Sequence, residues 1–141
     1  MRVWSVAVVA VLSLASCPAA QADSPPFVLQ QPFVLGGGEQ ADLLGGGLTV
    51  RFAEVLEDSR CPAHVECFWT GQARITIVAQ PVGLAPSRVE FNTNPAPRMT
   101  VTSARAGDYE ITLQALDPYP QSPQQPIPFG DYRATLVVVR A

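Results

Sequence analysis

The chain has 141 residues, a formal net charge of −3 and no lysine, so its nine basic residues are all arginine. That length suits one domain. Scattered arginines in a mildly acidic chain leave no electrostatic footprint for nucleic acid, and the lack of lysine excludes Schiff-base and Walker-type chemistry.

Residues 1–22 read as an export signal. Met1-Arg2 is a short positive start, and residues 3–16 form an uncharged run of apolar and small residues. That run is shorter than the ~20 residues a membrane-spanning helix needs. Two processing sites compete. Ala20-Gln21-Ala22 is a small-x-small site behind Pro18, and cleavage there starts the mature chain at Asp23. Leu14-Ala15-Ser16-Cys17 looks like the lipobox of bacterial lipoproteins, a resemblance that implies a signal over residues 1–16 and lipidation of Cys17. Both routes lead to a periplasmic or secreted protein, with a membrane anchor only through Cys17. Either route also leaves two cysteines, Cys61 and Cys67, an even number suited to one disulfide in an oxidising compartment.

Residues 23–35 form an N-terminal arm with a first strand, and residues 36–141 form the domain proper. The arm repeats itself: Pro26-Phe27-Val28-Leu29 is followed by Pro32-Phe33-Val34-Leu35. Only one copy fits a given strand position. A short helix is a weak alternative over residues 38–44. Beyond it, a period of two dominates. Residues 48–55 set Leu48, Val50 and Phe52 against Thr49, Arg51 and Ala53. The phase slips at Glu54-Val55-Leu56, which predicts a bulge or the end of the strand. Residues 73–80, 88–92, 98–103 and 108–116 repeat the alternation, and residues 131–140 form the final strand. Its Val137-Val138-Val139 run predicts burial on both faces. Gly107-Asp108-Tyr109 is echoed by Gly130-Asp131-Tyr132, which predicts turns that each launch a strand, with the tyrosine hydroxyl hydrogen-bonded at the sandwich edge. Residues 117–130 are rich in proline (Pro118, Pro120, Pro123, Pro126, Pro128) and predict a strap across the end of the domain, with Tyr119 and Phe129 tucked against it. The pattern gives an all-β protein: an antiparallel β-sandwich, immunoglobulin-like in architecture, with about seven strands and one disulfide.

Chemically capable side chains concentrate in residues 58–73, Asp-Ser-Arg-Cys-Pro-Ala-His-Val-Glu-Cys-Phe-Trp-Thr-Gly-Gln-Ala. Cys61, His64 and Cys67 are ligand types that zinc or copper accepts, but the spacing is not that of a finger and no fourth cysteine or histidine follows in the mature chain. A weak copper or zinc site at His64 with Glu66 is the residual metal reading. A redox pair would have two intervening residues rather than five. A Ser-His-Asp or Cys-His mechanism would have to use His64, without a nucleophile elbow. The expected role is therefore a structural staple. Cys61 and Cys67 close a ring worth about 2 kcal/mol. Pro62 stiffens it, Trp69 covers it and Gly71 lets another backbone approach. Arg60 pairs with Asp58, Glu57 or Glu66.

Asp58, Ser59, Arg60, Cys61, Pro62, Val65, Cys67, Trp69, Gly71 and Ala73 together resemble a segment found in a family of exported bacterial proteins, several of them lipoproteins. The resemblance implies export and a β-rich fold, and it brings no activity or catalytic residue. The expected function is an envelope binding or structural module whose partner is a protein or a glycan, without catalysis, cofactor or bound metal. The alternative is a peptidase-inhibitor-like protein that presents residues 61–67 as a rigid extended loop.

Overall fold

Alternating apolar and polar residues pair into eight strands in a computed structural model that describes residues 23–141. The export signal, both processing sites and Cys17 lie outside the described residues. The strands are β1 (Phe33–Gly36), β2 (Gln40–Asp42), β3 (Leu48–Asp58), β4 (Ala73–Pro81), β5 (Ser87–Asn92), β6 (Ser103–Ala106), β7 (Tyr109–Asp117) and β8 (Arg133–Arg140). They form two antiparallel four-stranded sheets, ordered β1-β8-β7-β6 and β2-β3-β4-β5. The architecture is the expected sandwich. Its connectivity is two successive meanders, β2 to β5 and β6 to β8, with β1 closing back on β8.

Inward positions supply the core between the sheets. Val50, Phe52, Ile75, Ile77 and Phe91 from one sheet face Leu35, Ile111, Leu136 and Val138 from the other, all fully buried. The arm is part of this body. Phe27 is buried and its ring stacks on Phe33 at 4.3 Å between centroids. The arm runs parallel to β2, with Phe27 N–H donating to Asp42 O and Leu44 N–H to Phe27 O. Of the repeated segments, the second copy becomes β1 and the first packs beside β2.

Three expectations are corrected. Residues 38–44 are not helical: Gly38 takes a left-handed φ of +86°, and Gln40–Asp42 then pairs with β3. The strand expected at 98–103 sits further along at Ser103–Ala106, because Pro95 and Pro97 withhold N–H groups and residues 96–99 turn, with Met99 N–H donating to Ala96 O. Val137 and Val139 are half-buried, not buried, since β8 has its core on one face only. The eight strands agree with the expected count of about seven, the additional one being β2, which at three residues carries too little alternation to be seen.

The phase slip at Glu54-Val55-Leu56 is a bulge and not a strand end. The β3–β4 register shifts twice, leaving Ala53 and Leu56 without opposite partners, and β3 continues to Asp58. Each bulge turns the strand and re-aims the side chains beyond it. These re-aimed residues form one wall of the groove described next.

Candidate functional site

Beyond its second bulge, β3 delivers Asp58 to the seam between the two sheets. Asp58 Oδ1 and Oδ2 accept from Arg60 Nε and a terminal guanidinium nitrogen, both at 2.8 Å, in a bidentate pair with both side chains about 10 % exposed. The same guanidinium donates to Leu116 O at 2.8 Å and Pro118 O at 3.1 Å, at the end of β7 and the start of the strap. Tyr132, just ahead of β8, donates its hydroxyl to Asp58 Oδ2 at 2.7 Å. One carboxylate and one guanidinium therefore tie three separate pieces of chain across both sheets. Burial pushes the Asp58 carboxyl up, but the hydrogen bonds from Arg60 and Tyr132 and the Arg60 charge outweigh it and hold the group below the ordinary carboxylate range. Burial, then the bond to Asp58 and its charge, pushes the Tyr132 phenol up to about 12.

The rest of the segment locks onto this clamp. Cys61 and Cys67 are bonded, with Cα atoms 6.0 Å apart. Ser59 N–H donates to Gln72 O at 2.7 Å, and Gln72 N–H returns a bond to Ser59 Oγ, closing the base of the loop. Glu57 accepts from Gln72 Nε2 and from Ser59 Oγ, and these bonds hold its carboxyl below the usual range. Gly71 has φ +70°, and a Cβ there would stand 2.2 Å from Ser59 O, so only glycine fits the approach. Pro62 is buried. Ala73 is fully buried in the core. Trp69 covers less than expected. It is 58 % exposed, and its indole N–H donates to Ser59 O at 3.3 Å.

The strap docks on this loop as expected of a rigid connection. Tyr119 Oη donates to Cys61 O at 2.7 Å, Ala63 N–H donates to Pro120 O, and the Arg60 guanidinium lies over the Tyr119 ring. At its other end Phe129 meets Phe52 edge-on at 5.5 Å. Between these anchors the strap stands away from β3 and encloses a groove of about 770 Å³. Its walls are Ala53 to Arg60 on one side and Pro120 to Phe129 on the other, with Pro62, Trp69 and Tyr132 at the ends. Leu56, Trp69 and Phe129 keep apolar surface open to solvent there.

Sequence reasoning singled out Asp58, Arg60, Cys61, Pro62, Cys67, Trp69 and Gly71, and the structure brings them into one unit. Of these, Asp58, Arg60, Pro62 and Trp69 line the groove. His64 and Glu66 are exposed on the loop. The sulfurs of Cys61 and Cys67 are committed to each other and are not thiolate ligands. Among the described residues no three His, Cys, Asp or Glu side chains converge as a metal site. Residues 62–65 form a turn, with Val65 N–H donating to Pro62 O, rather than the extended segment that an inhibitor loop presents. Gln72 and the groove itself were missed, as were the partners of two tyrosines the sequence did mark, Asp58 for Tyr132 and Cys61 O for Tyr119. The available signals were the repeated Gly-Asp-Tyr, which marked Tyr132 for a hydrogen bond, and the proline-rich strap, which placed Tyr119 against the domain; neither named a partner. No protein-family model, no curated protein and no solved structure matches this chain.

Proposed function

We propose that the protein is an exported binding module of the cell envelope, with the groove between β3 and the strap as its ligand site and residues 58–73 as the clamp that shapes it. The groove carries this reading. It has the volume of a ligand site, an apolar lining with a few fixed polar groups, and walls held by the Arg60 and Tyr119 bonds before any ligand arrives. Asp58, Arg60 and Tyr132, polar groups of the groove, spend their hydrogen bonds on one another and on main-chain carbonyls, which suits architecture rather than catalysis. Export rests on the signal pattern over residues 1–22 and agrees with the disulfide.

Affinity capture from envelope extract tests this. The bait is the disulfide-bonded protein, and the control is Leu56→Asp, which places a charge on the exposed apolar wall. Retention of an envelope component by the unaltered protein and not by the variant is expected. Equal retention, or none, contradicts it. Mass spectrometry of the native N-terminus reads the processing route as Asp23 or an acylated Cys17.

A further inference from the structure

We infer that the groove takes an extended polypeptide segment, which adds as a strand to the free edge of β3. This rests on the groove being the ligand site. β2 pairs with β3 only over Thr49–Arg51, and the turn before it reaches Phe52, where Gly38 N–H donates to Phe52 O and Phe52 N–H to Glu39 O. From Ala53 to Asp58 the only strand beside β3, among the described residues, is β4 on its other side. Every residue from Ala53 to Arg60 lines the groove, those of both faces alike, which is what the edge of a sheet presents and a face does not.

The strap does not close this edge. Pro120, Pro123 and Pro126 have no N–H to offer a ladder, so the wall opposite β3 cannot act as the missing strand. The open lane continues that of β2 over six residues, and the bulges at Ala53 and Leu56 turn it and shorten it below the roughly 20 Å that six regular residues would span at ~3.3 Å each. An incoming strand meets unpaired main-chain groups along it and apolar wall on either side, the combination that strand addition uses.

Charge sets the partner's chemistry. The ionised side chains of the lining are Glu54, Glu57, Asp58 and Arg60, a balance of three negative against one positive. Arg60 is consumed by Asp58 and two carbonyls. Glu54 and Glu57 pair with Arg88 and Arg74 on the outer face, but those pairs are solvent-exposed and an arriving cation competes with them readily. The fitting segment alternates apolar residues with arginine or lysine.

Displayed random hexapeptides selected against the disulfide-bonded protein test this. Enrichment of alternating apolar and basic sequences is expected. The best peptide, capped at both ends, is then N-methylated on one or the other alternate set of its amides. Methylation of the set facing β3 should weaken binding about 30-fold, the loss of two or three main-chain bonds, while the other set changes it about 3-fold or less. Binding should also slow amide exchange in residues 53–58 and be lost in Leu56→Asp. Equal tolerance of both methylated sets, unaltered exchange in β3, or no enriched peptide overturns the inference. If a glycan or other non-peptide component is still captured in a Leu56-dependent way, the binding-module reading stands without it. If nothing is captured, both fall.

Discussion

Tyr132 and Asp58 lie 74 residues apart, and the Tyr132 hydroxyl donates to Asp58 Oδ2 at 2.7 Å. The bond joins the entrance of β8 in one sheet to the end of β3 in the other. A neutral donor on a largely buried carboxylate is worth more than an ordinary hydrogen bond, because its loss leaves charge undersupplied in a region of low dielectric. Tyr132→Phe should therefore lower unfolding stability by about 1.5–3 kcal/mol while keeping the strand and disulfide intact. Urea unfolding with a far-ultraviolet dichroism readout measures it.

The same pair contributes to the pH response of stability at both extremes, joined on the acid side by Glu39 and Glu57, whose carboxyls are also held below the usual range by hydrogen bonds. The Asp58 carboxyl is held below its ordinary value in the fold, so its contribution is present above the unfolded pKa and is lost as pH falls toward the folded one. Stability should begin to drop below about pH 5. The Tyr132 phenol is raised to about 12, so the unfolded chain ionises first as pH rises. Its contribution is present below about pH 10, the ordinary phenol value, and falls between there and the folded value. Thermal midpoints measured across both windows should show the two losses, and Tyr132→Phe should flatten the alkaline one. An unchanged alkaline limb in that variant would argue against the assignment.

Gly71 and Gly83 both take left-handed backbone, at φ +70° and +79°, but only Gly71 is crowded. A Cβ at Gly83 meets nothing within 4 Å, whereas at Gly71 it strikes Ser59 O at 2.2 Å. Gly83→Ala should cost the backbone preference alone, about 1–2 kcal/mol. Gly71→Ala should cost clearly more, because the clash is with main chain at the base of the loop. Paired denaturation curves test the order of the two.

Legibility in the sequence followed the range of the physics. β3, β4, β5 and β7 show in the period of two, because each buries one face and that alone dictates alternation. β2 is three residues, and its identity comes from pairing with Thr49–Arg51, a tertiary fact. The bulge at Leu56 left a visible slip in phase, yet nothing local says that the chain continues as a strand beyond it. The cysteine pair and the Asp58–Arg60 neighbours were legible, since their partners lie within a few residues, and Gly71 was marked by its residue type although the backbone it meets, Ser59, lies twelve residues back. Arg60 reaching Leu116 O and Tyr119 reaching Cys61 O were not, since each bond spans more than fifty residues and engages a main-chain carbonyl that any residue type supplies. The groove was illegible for the same reason: it exists only between β3 and a strap far along the chain.

Equilibrium urea unfolding of Arg60→Ala beside His64→Ala tests most directly the proposal that residues 58–73 act as a clamp. Arg60→Ala leaves the Asp58 carboxylate buried without its cation and should lower stability by about 3–5 kcal/mol. His64→Ala removes an exposed ring and should stay within about 0.5 kcal/mol. A small loss at Arg60, or a loss at His64 equal to or larger than it, would contradict the clamp.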